Sequence, residues 1–185
     1  AIADIIKSKY PDTEFLFAGT PKGMEAKLVP AAGYRFETIK VAGFQRRISL
    51  ENIGRNAKAV AYLITSGRRA KQIIEGFKPD IAIGTGGYAA GPVIRKAARM
   101  GIPTAIHEQN AYPGVTNKLL SKEVDHVMLT VKEALNFMDG SKFEHTVTGL
   151  PVRSNIKNSI SRAEARKKLG FNDDFTILSF GGSLG

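Results

Sequence analysis

The sequence contains no cysteine, no tryptophan and only three histidines. The absence of cysteine excludes a disulfide framework and a thiolate metal site. His107, His126 and His145 are scattered without metal-ligand spacing, so no metal site is predicted. No apolar stretch reaches the ~18 residues that a membrane span requires, and no signal peptide is recognisable. We therefore expect a protein that is soluble or bound peripherally to a membrane.

Acidic side chains are also scarce relative to basic ones. The 185 residues include 27 Lys and Arg against 17 Asp and Glu, which gives a net charge of +10. A surface of this kind prefers anionic partners such as nucleic acid, phospholipid headgroups or phosphorylated substrates. The charge alone does not choose among them.

The length of the chain suffices for one full α/β domain and the start of a second.

Two short apolar runs separated by a helix-length segment are the most informative pattern. The run 81–83 ends in a glycine cluster, and the run 102–106 ends in His107-Glu108-Gln109-Asn110. A buried strand, a glycine turn, a helix and a second buried strand are typical of a βαβ unit in a parallel sheet. Ligands of such sheets bind beyond the carboxyl ends of the strands, so both clusters are candidate site residues.

The same alternation continues through the chain and predicts an α/β fold with a Rossmann-like parallel sheet. We predict one domain over 1–152, followed over 153–185 by a linker and the start of a second Rossmann-like domain. No strand precedes the amphipathic helix 1–9, and the sequence stops after the glycine-rich segment 181–185, where a helix is expected to start. We therefore expect the chain to be truncated at both ends. Strands are predicted at 14–18, 36–41, 80–83, 104–107, 126–129, 145–148 and 176–180. Helices are predicted at 23–32, 50–76, 91–100, 115–121, 132–138 and 161–169, the last opened by a capping box.

Two glycine-rich segments are candidate binding loops. Four glycines among the eight residues 84–91 exceed what one turn requires, which favours close approach of a ligand to the backbone, with Pro92 starting the next helix. Dense packing is the alternative explanation. The segment 181–185 follows a predicted strand and could cradle a phosphate, or it could be a tight connection.

The polar cluster after the second strand combines a titratable pair with two amides. This combination suits recognition of a sugar or polyol, and Glu108 is the only carboxylate in the two clusters, which makes it the candidate general base. A hydrogen-bonded loop anchor is the alternative.

A basic stripe runs along the predicted helix 50–76. Arg55, Lys58, Tyr62 and Arg69 recur at spacings that place them on one side of that helix. Such a row is either a solvated face or a surface that docks on anionic lipid, where each basic residue contributes about 1 kcal/mol.

Several of these segments together resemble the MurG family of glycosyltransferases. They occur in the family's order and spread across the whole chain. The matching segments are Ala18-Gly19-Thr20 with Met24-Glu25, the loop 84–92, His107 to Asn110 followed by Gly114-Val115-Thr116-Asn117, Pro151-Val152-Arg153, and Gly181-Gly182-Ser183.

The resemblance implies the GT-B architecture, in which two Rossmann-like domains face a cleft. It implies inverting transfer of N-acetylglucosamine from UDP-N-acetylglucosamine to the 4-hydroxyl of the muramyl sugar of undecaprenyl-linked lipid I, forming lipid II. No metal or cofactor is expected. The implied location is the cytoplasmic face of the bacterial cell membrane, and the implied process is peptidoglycan synthesis, with its links to cell shape and division.

The resemblance also implies roles for individual residues. Asn110, Arg153 and Ser183 match positions that contact the sugar nucleotide. The acceptor side is matched by Gly86, Gly87, Tyr88 and His107, together with Glu108. Leu150 departs from the asparagine common before Pro-Val-Arg. The family's glycine loop with a histidine favoured as base would precede Ala1, so this chain alone is expected to be inactive.

Two alternatives stay open at this point. Another GT-B enzyme with a lipid acceptor, such as a diacylglycerol glycosyltransferase, would share the architecture and differ in its acceptor. A non-catalytic basic module that binds nucleic acid would need aromatic side chains among the basic ones, and only Tyr62 and Phe44 qualify, so no nucleic-acid partner is expected.

Overall fold

A computed structural model describes residues 1–41, 65–138, 143–152, 160–177 and 179. The chain divides into two compact units, one of Ile2–Pro151 and another that holds the residues from Val152 onward. The first unit contains all of the described strands and is an alternating α/β structure.

A two-stranded parallel sheet is formed by the amino-terminal part of the first unit. Helix α1 (Ile2–Lys9) leads into β1 (Leu16–Gly19), and helix α2 (Glu25–Ala31) connects it to β2 (Arg35–Thr38). The two strands pair parallel, as expected when a helix returns the chain to the same end of the sheet.

A four-stranded parallel sheet follows, with its strands in chain order. The strands are β3 (Ala82–Gly84), β4 (Thr104–Glu108), β5 (His126–Leu129) and β6 (Glu144–Val147). Helices alternate with them: α3 over the described residues 65–77, α4 (Gly87–Arg99), α5 (Val115–Leu120) and the 3₁₀ helix Lys132–Phe137.

The core of the first unit lies around β4, whose five residues are all buried. A parallel sheet is covered by helices on both faces, so its central strands are buried, and the polar residues Thr104, His107 and Glu108 of β4 are buried with Ala105 and Ile106. Helix α4 packs against β1 of the two-stranded sheet and against β3 of the four-stranded sheet, so it contacts both sheets. The main cluster of buried side chains consists of Ile94, Ile106, Leu120, Val124, Val127, Leu129, Ala134 and Met138.

The predicted alternation of strands and helices is confirmed in the first unit, with differences at element ends. Helix α4 begins at Gly87 and not at residue 91, so Pro92 lies inside the helix. The positive φ angles of Gly86 and Gly87 complete the turn earlier than expected and let the helix start at once. The segment 132–138 forms a 3₁₀ helix over Lys132–Phe137, where a short connection does not extend to a full α-helix.

The second unit contains helix α6 (Arg162–Leu169), and its predicted capping box is confirmed. Ser161 Oγ accepts from the backbone N–H of Glu164, and the Glu164 carboxylate accepts from the backbone N–H of Ser161. The predicted buried strand 176–180 is wrong at its described positions, since none of them is in a strand and Ile177 is 78% exposed. A buried strand needs a neighbour to pair with, and the described part of this unit contains no other strand.

No helix in the described ranges is long and apolar enough to cross a membrane.

Candidate functional site

A pocket of about 240 Å³ lies where β3 and β4 end. Gly84 and Glu108 are the last residues of these strands, and the helices that follow them, α4 and α5, begin at Gly87 and Val115. This is the carboxyl edge of the sheet, where ligands of parallel α/β folds bind. The lining residues are Gly86, Gly87, Tyr88, Glu108, Gln109, Asn110, Gly114, Val115, Thr116 and Asn117.

Both helices that open onto the pocket start from a glycine. Gly86 precedes α4 and Gly114 precedes α5, and neither helix has a side-chain hydrogen bond capping its first turn. The backbone N–H groups of such a first turn lack a partner within the helix and are available to a ligand. Helix α4 spans 13 residues, so the positive end of its dipole also favours an anion at this position.

Glu108 is the organising residue of the loop after β4. Its side chain is 1% exposed and accepts four hydrogen bonds. Oε1 accepts from the backbone N–H of Asn110 at 2.9 Å and from Asn110 Nδ2 at 3.0 Å. Oε2 accepts from the backbone N–H of Gly114 at 3.0 Å and from Asn117 Nδ2 at 2.8 Å.

These contacts set the protonation of Glu108. Burial raises the pKa of its carboxyl, but the hydrogen bonds from Asn110, Asn117 and Gly114 together hold the pKa below the ordinary value of a glutamate. An ionised carboxylate that already accepts four hydrogen bonds is a weak proton acceptor. The geometry therefore favours the loop-anchor alternative over direct base catalysis.

His107 lies behind the pocket and does not line it. Its side chain is 1% exposed, Nε2 lies 3.1 Å from the carbonyl oxygen of Gly149, and Nδ1 lies 3.1 Å from Gln109 Nε2. Gln109 and Asn117 do line the pocket. The sequence places Gln109 in the candidate polar cluster 107–110, but it names Asn117 only within a segment of the family resemblance. Both lie within the segments that carry the family resemblance, which is the signal that could have identified them.

The structure brings most of the predicted acceptor-side residues together. Gly86, Gly87 and Tyr88 line the pocket together with Glu108 and Asn110, whereas His107 is buried and does not line the pocket. The glycines divide between the two explanations weighed above. A Cβ on Gly84 would lie 2.8 Å from Ile94 Cγ1, which is dense packing, while Gly86 and Gly87 have positive φ at the pocket itself.

The remaining predicted site residues fall largely outside the described ranges. Arg153 and Ser183 lie there, as do Arg55, Lys58 and Tyr62 of the basic stripe. Arg69, the described member of the stripe, forms an ion pair with Glu37, and its Nε donates to the carbonyl oxygen of Thr38 at 3.2 Å. These contacts tie α3 to the end of β2.

Among the described residues, no three acidic or histidine side chains are placed to hold a metal ion together.

Comparison with known proteins locates the chain in one family. The glycosyltransferase family 28 N-terminal domain matches residues 1–129. The chain is 50% identical to the "UDP-N-acetylglucosamine--N-acetylmuramyl-(pentapeptide) pyrophosphoryl-undecaprenol N-acetylglucosamine transferase" of Acetivibrio thermocellus, covering 100% of this chain and 49% of that protein. It is 45% identical to the protein of the same name from Desulforamulus reducens, covering 100% and 48% respectively.

A solved structure also matches. The crystal structure of Acinetobacter baumannii MurG superposes with a TM-score of 0.62 at 28% sequence identity, covering 82% of this chain and 40% of that one. The chain thus spans about half the length of the curated relatives it matches.

Proposed function

Because this chain belongs to glycosyltransferase family 28, we propose that it carries the acceptor side of an inverting transferase. The reaction moves N-acetylglucosamine from UDP-N-acetylglucosamine to the 4-hydroxyl of the muramyl sugar of undecaprenyl-linked lipid I. Family membership also confirms the predicted fold class, a Rossmann-like parallel α/β domain of the GT-B type. Residues 1–152 form the acceptor domain in this proposal, and 153–185 lead into the domain that binds the UDP-sugar.

The pocket at the carboxyl ends of β3 and β4 is the observation on which the proposal rests. Its α4 end offers unpaired N–H groups and a positive dipole, which suit the diphosphate of the acceptor. Its other side offers the amides of Gln109 and Asn110, which suit a sugar. An anion and a sugar side by side are what a glycosyl diphosphate presents.

In the proposed step, the acceptor 4-hydroxyl oxygen attacks C1 of N-acetylglucosamine. The bond from C1 to the UDP oxygen breaks, UDP leaves with the electron pair, and a base takes the hydroxyl proton. We assign Glu108 a positioning role, because its four hydrogen bonds hold Asn110, Gly114 and Asn117 in place around the pocket. Holding both substrates in one cleft lowers the entropic barrier to their reaction.

The donor-side assignments remain part of the proposal. Asn110 is exposed at the pocket and fixed by Glu108, so it is available to a second substrate. Arg153 and Ser183 are assigned to the UDP diphosphate on the family resemblance, since a guanidinium and a loop N–H both stabilise developing negative charge.

A membrane-facing surface is proposed beside the pocket, at the cytoplasmic side of the cell membrane. Tyr112 and Phe137 pack edge-on at 4.7 Å, and Lys118 Nζ lies 4.1 Å from the Tyr112 ring centroid. Val115 and Leu119 are also more than half exposed on α5. Exposed apolar side chains around a lysine suit the interface of an anionic membrane, where the lipid-linked acceptor resides.

A transfer assay tests the proposal. This chain is joined to the remaining part of the Acetivibrio thermocellus relative, and radiolabelled UDP-N-acetylglucosamine is supplied with lipid I or with diacylglycerol. We expect label in lipid II with the joined protein and none with the 185-residue chain alone. Label in the diacylglycerol product instead would assign the chain to another lipid acceptor, and label in neither product would reject the proposed function.

A further inference from the structure

The side-chain amide of Gln109 is held in one orientation by His107. The carbonyl oxygen of Gly149 can only accept a hydrogen bond, so His107 Nε2 at 3.1 Å must carry the proton. His107 Nδ1 then accepts a hydrogen bond from Gln109 Nε2. The same Gln109 nitrogen also donates a hydrogen bond to the carbonyl oxygen of His107 at 2.9 Å. Both amide protons are used, and Gln109 Oε1 has no hydrogen-bond partner among the described residues.

The side-chain amide of Asn117 is held in the same way by Glu108. Its Nδ2 donates to Glu108 Oε2 at 2.8 Å and to the carbonyl oxygen of His107 at 3.3 Å, and both of these atoms can only accept. Asn117 Oδ1 is buried and has no hydrogen-bond partner within the described part of the chain. Under 1 Å² of this oxygen is accessible, so a ligand in the pocket does not reach it, and Asn117 anchors the loop through its nitrogen.

Both amides approach Gly86, Gln109 with its oxygen and Asn117 with its nitrogen. A Cβ built on this glycine would be 3.6 Å from Gln109 Oε1 and 3.6 Å from Asn117 Nδ2. We propose that Gln109 is a specificity-determining residue that presents only its carbonyl oxygen to the ligand, so that the pocket selects a hydroxyl or amide N–H next to an anionic group. The inference rests on the proposed function for the identity of that ligand, the acceptor sugar.

The arrangement separates two kinds of recognition. The first turn of α4 supplies N–H donors, which suit phosphate oxygens, and Gln109 Oε1 supplies an acceptor, which suits a sugar hydroxyl or an acetamido N–H. A ligand that carries phosphate alone satisfies the first group and leaves the second unpaired. A sugar phosphate satisfies both.

The first test measures the histidine tautomer in the unliganded chain. Nitrogen NMR of the 15N-labelled 185-residue protein at neutral pH distinguishes Nε2–H from Nδ1–H in a neutral ring. We expect Nε2–H for His107. The Nδ1–H tautomer would turn the Gln109 amide nitrogen towards the pocket and would overturn the proposal. This measurement needs no variant and no ligand.

The second test is a titration with N-acetylglucosamine 1-phosphate, compared with inorganic phosphate. We expect the sugar phosphate to bind more tightly and to shift the NMR signal of the side-chain carbonyl carbon of Gln109. The variant Gln109→Met should weaken sugar phosphate binding about 10-fold, the effect of one net hydrogen bond, and leave phosphate binding unchanged. Gln72→Met, the same change at an exposed position in α3, should change neither.

The outcomes also separate this inference from the proposed function. Equal binding of the sugar phosphate to Gln109→Met and to the unmodified chain, or sugar phosphate binding no tighter than inorganic phosphate, would overturn the inference. Both tests are independent of turnover. If the joined protein transfers N-acetylglucosamine while His107 is the Nδ1–H tautomer, the proposed function stands. The proposed orientation of the Gln109 amide is then wrong.

Discussion

At the scale of single residues, the site depends on what Glu108 and His107 hold in place. The sequence identifies the polar cluster 107–110 because it follows a buried strand, and strand ends are predictable from apolar runs. It does not give the roles within the cluster, because those depend on partners that only the fold supplies. Gly149 lies 42 residues from His107 in the chain, and Asn117 lies nine residues from Glu108.

Replacing Glu108 by glutamine is expected to destabilise the protein by about 1–3 kcal/mol. A glutamine keeps the shape but turns an NH₂ group towards donors that need an acceptor. Chemical unfolding in urea at neutral pH measures the difference in the free energy of unfolding. Glu133→Gln, a change at an exposed glutamate, is the control and should have little effect. Equal stability of the two variants would contradict the anchoring role.

The stability of the protein should also depend on pH through Glu108. The folded-state pKa of this carboxyl lies below its unfolded value, so its ionised form stabilises the fold at neutral pH, and that contribution is lost as the pH falls through the folded-state pKa. Glu108→Gln should remove this part of the acid destabilisation. Unfolding measured across the acid range would disprove the linkage if the variant and the unmodified protein lost stability in parallel.

At the scale of secondary-structure elements, the close packing of α4 on β3 positions the pocket. Gly84 allows this approach, because a Cβ there would lie 2.8 Å from Ile94 Cγ1 and 3.3 Å from Ile106 Cγ2. The packing brings the start of α4 to the carboxyl edge of the sheet. A larger residue at position 84 would push the helix away from the strand.

Gly84→Ala is therefore expected to destabilise the protein by about 1–3 kcal/mol through overpacking. Gly67→Ala provides a matched comparison, since this glycine lies in α3 with no atom within 4 Å of a Cβ built on it. It should stabilise the helix by about 0.5–1 kcal/mol. Thermal unfolding measures whether each substitution raises or lowers the stability of the protein. A stabilising Gly84→Ala would show that α4 can move away from β3 without cost.

The order and type of most elements were predictable from the sequence, whereas their ends were not. Short apolar runs locate β4 and β5, because a buried strand is marked in the sequence by a run of this kind between turn residues. The start of α4 was misplaced because Pro92 resembles a first-turn proline, while the positive φ angles of Gly86 and Gly87 fix the true start. Residues 176–180 have strand composition, but pairing requires a neighbour that composition does not reveal.

At the scale of the whole molecule, a net charge of +10 favours anionic surfaces. The described residues suggest which basic groups are available. Arg69 is engaged by Glu37, whereas Lys118 stands among the exposed apolar side chains of α5 and the 3₁₀ helix. Membrane attraction at this surface would act only within about 8 Å at physiological salt.

Co-sedimentation with vesicles should rise with the anionic lipid fraction and fall with added salt. Lys118→Glu changes the local charge by two units and is expected to reduce binding roughly 30-fold, given about 1 kcal/mol for each unit of charge near the surface. Arg69→Gln should leave binding nearly unchanged because that guanidinium already has an anionic partner. The reverse ranking of the two variants would locate the membrane contact on the side of α3.

The acceptor pocket is tested most directly by the Michaelis constants of the joined protein for its two substrates. Gly86→Ala adds a methyl group 3.6 Å from atoms of Gln109 and Asn117, at φ +86° and ψ −169°, a backbone region that is essentially glycine-only. Gly101→Ala is the comparison at another positive φ, +74°, with no atom nearby. We expect Gly86→Ala to raise KM for lipid I about 10-fold or more while KM for UDP-N-acetylglucosamine stays within about twofold, and Gly101→Ala to change neither. A Gly86→Ala variant that loses donor affinity and keeps acceptor affinity would contradict the assignment of this pocket to the acceptor.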